Sequence, residues 1–126
     1  MTKRIINPAG AAPAGGPYSR AVRLGDLLFC AGQIAIVPET GEMLLGDVKA
    51  QTQQVLQNIN VILKDQGLAP SHVVKATVFM TNLAFFNDMN EVYGRFFESN
   101  FPARTCVQVA ALPKGAQVEI EVIAHY

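Results

Sequence analysis

The sequence predicts an α+β fold within one domain over residues 1–126: a β-hairpin, a helix, a strand, a second helix and two closing strands. Three observations carry that prediction. Apolar residues recur at helical spacing in two stretches, β-branched residues concentrate in short runs elsewhere, and Gly/Pro signals separate the segments.

In chain order, Asn7–Pro17 is crowded with Gly, Pro and Ala and reads as a fixed loop leading into Tyr18. Arg20–Leu24 and Leu27–Ala31 flank Gly25-Asp26, and two β-prone runs around such a pair make a hairpin. Pro38–Gly46 is a turn region. Asp47 then stands where it caps a helix whose apolar stripe is Val48, Val55, Leu56, Ile59, Ile62 and Leu63. Gly67 with Pro70 ends that helix. Val73–Met80 reads as a strand from its β-branched content. A second helix carries Leu83, Phe86, Met89, Tyr93, Phe96 and Phe97 on one face until Asn100–Pro102 breaks it. The closing strands are Thr105–Ala110 and Val118–Ala124; between them Leu112-Pro113-Lys114-Gly115 has the residues of a type I turn.

Half of the 126 residues are hydrophobic and 16% are charged, so core burial can offset chain entropy. Ten Lys+Arg balance ten Asp+Glu, which supplies no long-range attraction for phosphate backbones or anionic lipid. Neither nucleic acid nor membrane is expected as a partner. Cys30 and Cys106 form no C-x-x-C pair or disulfide ladder and read as small buried hydrophobes in a reducing compartment. Met1–Ile6 is basic without an apolar core, and no apolar run approaches the ~20 residues that span a bilayer, so a cytoplasmic protein is expected.

Two helices cover one face of a sheet, yet Leu27–Ala31 is apolar on both faces and Cys106–Ala111 nearly so. Another subunit is the simplest cover, and a homo-oligomer is predicted.

Arg104 opens a mostly apolar strand, where a guanidinium needs either an anionic ligand in a wet cleft or a structural ion-pair partner; the pattern leaves both open. Glu119 and Glu121 alternate with Val118, Ile120 and Val122, so both carboxylates project from one face, ~7 Å apart. They point the same way instead of flanking a bond, and no Trp is present to stack on a sugar, which argues against a glycosidase. Two solvated or ion-paired acids is the plain alternative. His72 and His125 lack metal-motif context and read as surface residues, and no phosphate-binding glycine loop occurs. The aromatics from Phe85 to Phe97 fall at helical spacing with no basic stripe, the mark of core and not of a base-stacking platform. A simple hairpin centred on Pro113-Lys114 would pair Arg104 with Ile123, ~13 Å along the ladder from Glu119. That is too far for one small ligand, unless the register differs, the strands bend or the two residues meet from separate subunits.

Several segments in order resemble the reactive intermediate deaminase (Rid/YjgF) family, particularly its RidA subgroup. They are Gly16-Pro17-Tyr18-Ser19, Ala31-Gly32-Gln33-Ile34, Val74–Phe79, Met89-Asn90-Glu91-Val92-Tyr93, Phe101-Pro102-Ala103-Arg104, and Leu112–Gly115 leading to Val118–Glu121. The resemblance implies a chorismate-mutase-like mixed sheet with two helices on one face, assembled as a homotrimer with ligand clefts between subunits. It implies hydrolysis of 2-iminopropanoate and 2-iminobutanoate to 2-oxo acids and ammonia without metal or cofactor. It further implies Arg104 for the substrate carboxylate, Glu119 for the water, and Tyr18, Gly32, Asn90 and Cys106 as cleft lining. Other members act as non-catalytic metabolite binders or as endoribonucleases and translation inhibitors, which are the alternative readings. Ala31 departs from the serine common in RidA members, and an altered substrate preference is expected from the lost hydroxyl.

Overall fold

The computed structural model describes residues 1–126. A mixed six-stranded sheet is backed by two helices. The strands are β1 (Arg4–Ile6), β2 (Ala21–Leu24), β3 (Leu27–Gln33), β4 (Val73–Met80), β5 (Ala103–Gln108) and β6 (Val118–His125); the helices are α1 (Val48–Asp65) and α2 (Phe86–Phe97). The sheet order is β1-β2-β3-β6-β4-β5, with only β4 and β5 parallel.

The hairpin forms as expected: Leu24 pairs with Leu27, and Gly25 takes φ +59°, which glycine adopts without steric cost. Asp47 caps α1 by accepting from the Ala50 amide at 2.8 Å, and Gly67 follows the helix at φ +71°. The apolar stripe of α1 is buried as predicted, and polar Asn58 and Gln51 are buried with it. Asn58 donates to the carbonyls of Ile34 (3.2 Å) and Ile36 (2.7 Å), while Gln51 accepts from the Gln117 amide at 2.9 Å. These bonds satisfy buried polar groups and fix the segments that leave β3 and enter β6.

The second helix is shorter than its apolar pattern suggests. Leu83–Phe85 is a 3₁₀ turn capped by Asn82, and α2 proper begins at Phe86. Met89, Val92, Tyr93 and Phe97 are buried, whereas Leu83 and Phe86 stay partly exposed.

The closing strands differ from the expected arrangement. The β4–α2–β5 crossover returns the chain parallel to β4 at the sheet edge, and β6 inserts between β3 and β4, antiparallel to both. The two strands therefore do not pair, and Arg104 does not face Ile123. Lys114 takes φ +57° within a 3₁₀ turn over Pro113–Gly115, so the type I turn is absent too. Edge strand β1, three residues from the basic N-terminal segment, was not expected; it is too short to show a period.

Leu28, Cys30, Ala76, Val78, Ile120 and Val122 face the helices with almost no exposure. The other face carries three rows set by register: Phe29, Ile123 and Lys75; Glu121, Thr77 and Thr105; Glu119, Phe79 and Val107. No helix covers it, and Phe29 and Val107 are 40% and 38% exposed. The face is left bare as anticipated, but it is mixed and not apolar: Phe29, Ile123, Phe79 and Val107 share it with Lys75, Thr77, Thr105, Glu119 and Glu121.

Candidate active site

Arg104 lies on edge strand β5 beside Ala76 of β4, and its side chain turns toward α2. Nη1 donates to Asn90 Oδ1 at 2.7 Å and approaches Met89 Sδ at 3.8 Å. The guanidinium carbon lies 4.7 Å from the Tyr93 ring centre and 5.4 Å from that of Phe86. All these partners are neutral. Burial pushes the Tyr93 phenol up to about 12, against the opposing pull of Arg104, so it stays protonated. The chain has a single ion pair, Lys49 with Glu91, and it does not involve Arg104. A partly exposed guanidinium with no carboxylate partner is free to take an anion. The structural ion pair considered for Arg104 is not formed. Cys106 shares the face of Arg104, two residues along β5. Its thiol is pushed up by burial, offset in part by Arg104, which makes a nucleophilic thiolate scarce at neutral pH. Cys30, buried and pushed up to about 12, is the inert thiol expected.

Glu119 stands on the open face of β6 in a cleft of about 380 Å³ with Tyr18, Ala31, Gly32, Ile34, Pro113 and Glu121. Its carboxyl is raised above the ordinary carboxylate range by burial first and by the neighbouring Glu121 second. A raised carboxyl at a cleft is suited to exchanging protons near neutrality. Tyr18, half exposed, accepts from the Gly15 amide through its hydroxyl at 3.1 Å. The cleft is shaped by a β-bulge: Cys30 pairs with Val122 and Gln33 with Ile120, leaving Ala31 and Gly32 opposite Glu121 alone.

The six residues singled out in the sequence thus form two clusters within one chain. Arg104, Asn90 and Cys106 gather at the helix-facing edge; Tyr18, Gly32 and Glu119 gather on the open face. Arg104 aligns through Ala76 with Val122, three residues from Glu119 and two strands away, which is roughly 10 Å in each direction. The structure does not bring the clusters together in one chain. Sequence reasoning missed Phe86 and Tyr93 as neighbours of Arg104 and assigned them to the core. Their spacing from Asn90, four before and three after, was the available signal.

The fold is a two-layer α+β protein with one sheet face uncovered by helix, and its polar clusters stand on opposite sides of that sheet. The family model described as Endoribonuclease L-PSP matches residues 9–126, and the chain belongs to this family, the Rid/YjgF family. The 2-iminobutanoate/2-iminopropanoate deaminase of Homo sapiens is 44% identical over 98% of this chain and 90% of its own length. A RutC family protein of Pyrococcus abyssi is 46% identical over 99% and 98%. Among solved structures, E. coli TdcF with bound serine superposes with a TM-score of 0.92 at 43% identity, covering 98% of each chain. RidA from a Psychrobacter species gives 0.94 at 42%, covering 98% and 99%.

Proposed function

We propose that this protein hydrolyses 2-imino acids such as 2-iminopropanoate and 2-iminobutanoate to 2-oxo acids and ammonia. The clefts form between the subunits of a homotrimer, Arg104 from one and Glu119 from its neighbour. The observation that carries this reading is the separation just described: within one chain an unpaired guanidinium and a raised carboxyl stand on opposite faces of one sheet, too far apart for one small ligand, which supports a cleft completed by a second copy laid against the open face. The deaminase named among the relatives supplies the reaction class.

In that cleft Arg104 uses its remaining N–H groups to hold the substrate carboxylate, with Asn90 fixing the guanidinium plane. Glu119 accepts a proton from water as the water oxygen bonds to C2 of the protonated imine, giving a carbinolamine. The proton held on Glu119 returns to nitrogen, the C–N bond breaks with its electron pair leaving on ammonia, and the carbinolamine O–H bond breaks to form the C2 carbonyl of the 2-oxo acid, its proton passing back to the Glu119 carboxylate and from there to the released ammonia. Tyr18, Gly32 and Cys106 line the cleft around the reacting carbon. Imines hydrolyse unaided, so positioning and one proton shuttle suffice.

The test is pyruvate release from freshly generated 2-iminopropanoate by wild type, Arg104→Ala and Glu119→Gln, with oligomer mass measured alongside. Acceleration by wild type and its loss in both variants at unchanged mass is the expected result. Binding of 2-oxo acids without acceleration would make the protein a metabolite binder instead.

A further inference from the structure

No hydrogen-bond donor reaches the Glu119 carboxylate within the chain, so its orientation needs another cause. A β-carbon built on Gly32 falls 2.9 Å from Glu119 Cδ and 3.2 Å from its Cγ, and it overlaps Oε2. The carboxylate occupies the volume in which any other residue at position 32 would carry its side chain. Backbone conformation does not demand glycine there, because Gly32 lies outside the left-handed region that four other glycines of the chain adopt. The bulge brings the bare α-carbon there, since Ala31 and Gly32 together oppose Glu121 and the strand swings toward Glu119.

We propose that Gly32 is a positioning residue whose missing side chain seats the Glu119 carboxylate against β3 and aims it into the cleft. The proposal rests on the role given to Glu119 above and adds to it a steric function for Gly32, distinct from any contact of its backbone with substrate. Alanine separates the two, because it keeps the N–H and C=O of residue 32 and adds only a methyl. The obstacle that methyl meets is the far end of a flexible side chain. The carboxylate therefore gives way and the sheet holds.

The experiment compares wild type, Gly32→Ala and Glu119→Gln as full chains carrying ¹³C-labelled glutamate carboxyls. The Glu119 resonance is identified by its absence in Glu119→Gln. In Gly32→Ala it is expected to change position and to titrate at lower pH than in wild type, as the displaced carboxylate gains solvent. Turnover of 2-iminopropanoate falls about 100-fold, the scale of loss when a reacting group is misplaced by an ångström. A Glu119 titration in Gly32→Ala that overlays wild type overturns the proposal. Full activity in Glu119→Gln would sink the role of Glu119 while leaving the carboxyl titration to judge Gly32. Any fall in melting temperature in Gly32→Ala should be absent when the same change is made in Glu119→Ala. A fall that persists there means that the glycine serves the sheet, which also overturns the proposal.

Discussion

Arg104 Nη1 donates to Asn90 Oδ1 at 2.7 Å, a bond from the edge strand to α2 that fixes the guanidinium and leaves its charge uncancelled. A neutral partner at this position orients a cation without competing for the anion it binds.

Replacing that partner tests the point. Asn90→Ala removes one hydrogen bond to a charged group, worth about 1.5–3 kcal/mol, so kcat/KM should fall roughly 10- to 100-fold with the fold intact. Asn90→Asp keeps the shape but adds a carboxylate that occupies Arg104. It should be the more damaging change, seen as a loss of saturable binding of pyruvate by calorimetry.

Glu119 stands above its ordinary pKa, which makes its ionisation a cost to folding. The sign follows from proton counts: between the unfolded and the folded pKa the native state binds more protons, so stability falls as pH rises through that window. Glu119→Gln escapes the cost. Its melting temperature should exceed that of wild type at pH 7, and the gap should close below the unfolded carboxylate pKa. An equal gap at both pH values would refute the linkage.

Burial and the charge of Glu121, in that order, hold the Glu119 carboxyl up. Glu121→Gln removes the second cause and should move the acid limb of the kcat/KM profile to lower pH while activity at the plateau persists. An unmoved limb would separate the two acids.

Mixing Arg104→Ala with Glu119→Gln tests whether a cleft draws on two chains. Each homo-oligomer is expected to be inactive, and random re-association at equal amounts should restore about a quarter of wild-type activity, since each intact pairing needs two independent choices. No recovery after verified subunit exchange would assign both residues to one chain.

Asp47→Ala removes the amide acceptor at the start of α1 and should cost about 1 kcal/mol in denaturant unfolding with little change in turnover.

The legible parts of the fold were those set by local rules. Gly25 in the hairpin turn, Asp47 and Gly67 at the ends of α1, and the alternation of Glu119 and Glu121 with buried Val118, Ile120 and Val122 each follow from neighbours in sequence. Strand order was not legible. Nothing near Pro113 signals that β6 slots between β3 and β4, because its cross-strand partners, Cys30 and Ala76, are dozens of residues away. The turn residues of Leu112–Gly115 suited a hairpin that tertiary pairing overrode. For the same reason the sequence placed Glu119 on its strand face but could not place Arg104 on the other. Gly32, met as part of a segment, gained its physical meaning only from the bulge.

That bulge has a bearing on length variation. An ordinary deletion within a strand turns every residue beyond it to the wrong side of the sheet. Loss of Ala31 would do the reverse: with one residue opposite Glu121 in place of two, the zigzag from Leu27 to Gln33 would become regular and both flanking pairs would be kept. The six-residue version is the simpler strand. The surplus residue therefore contributes nothing to sheet parity, and a shortened protein that folds well but does no chemistry is the phenotype to expect.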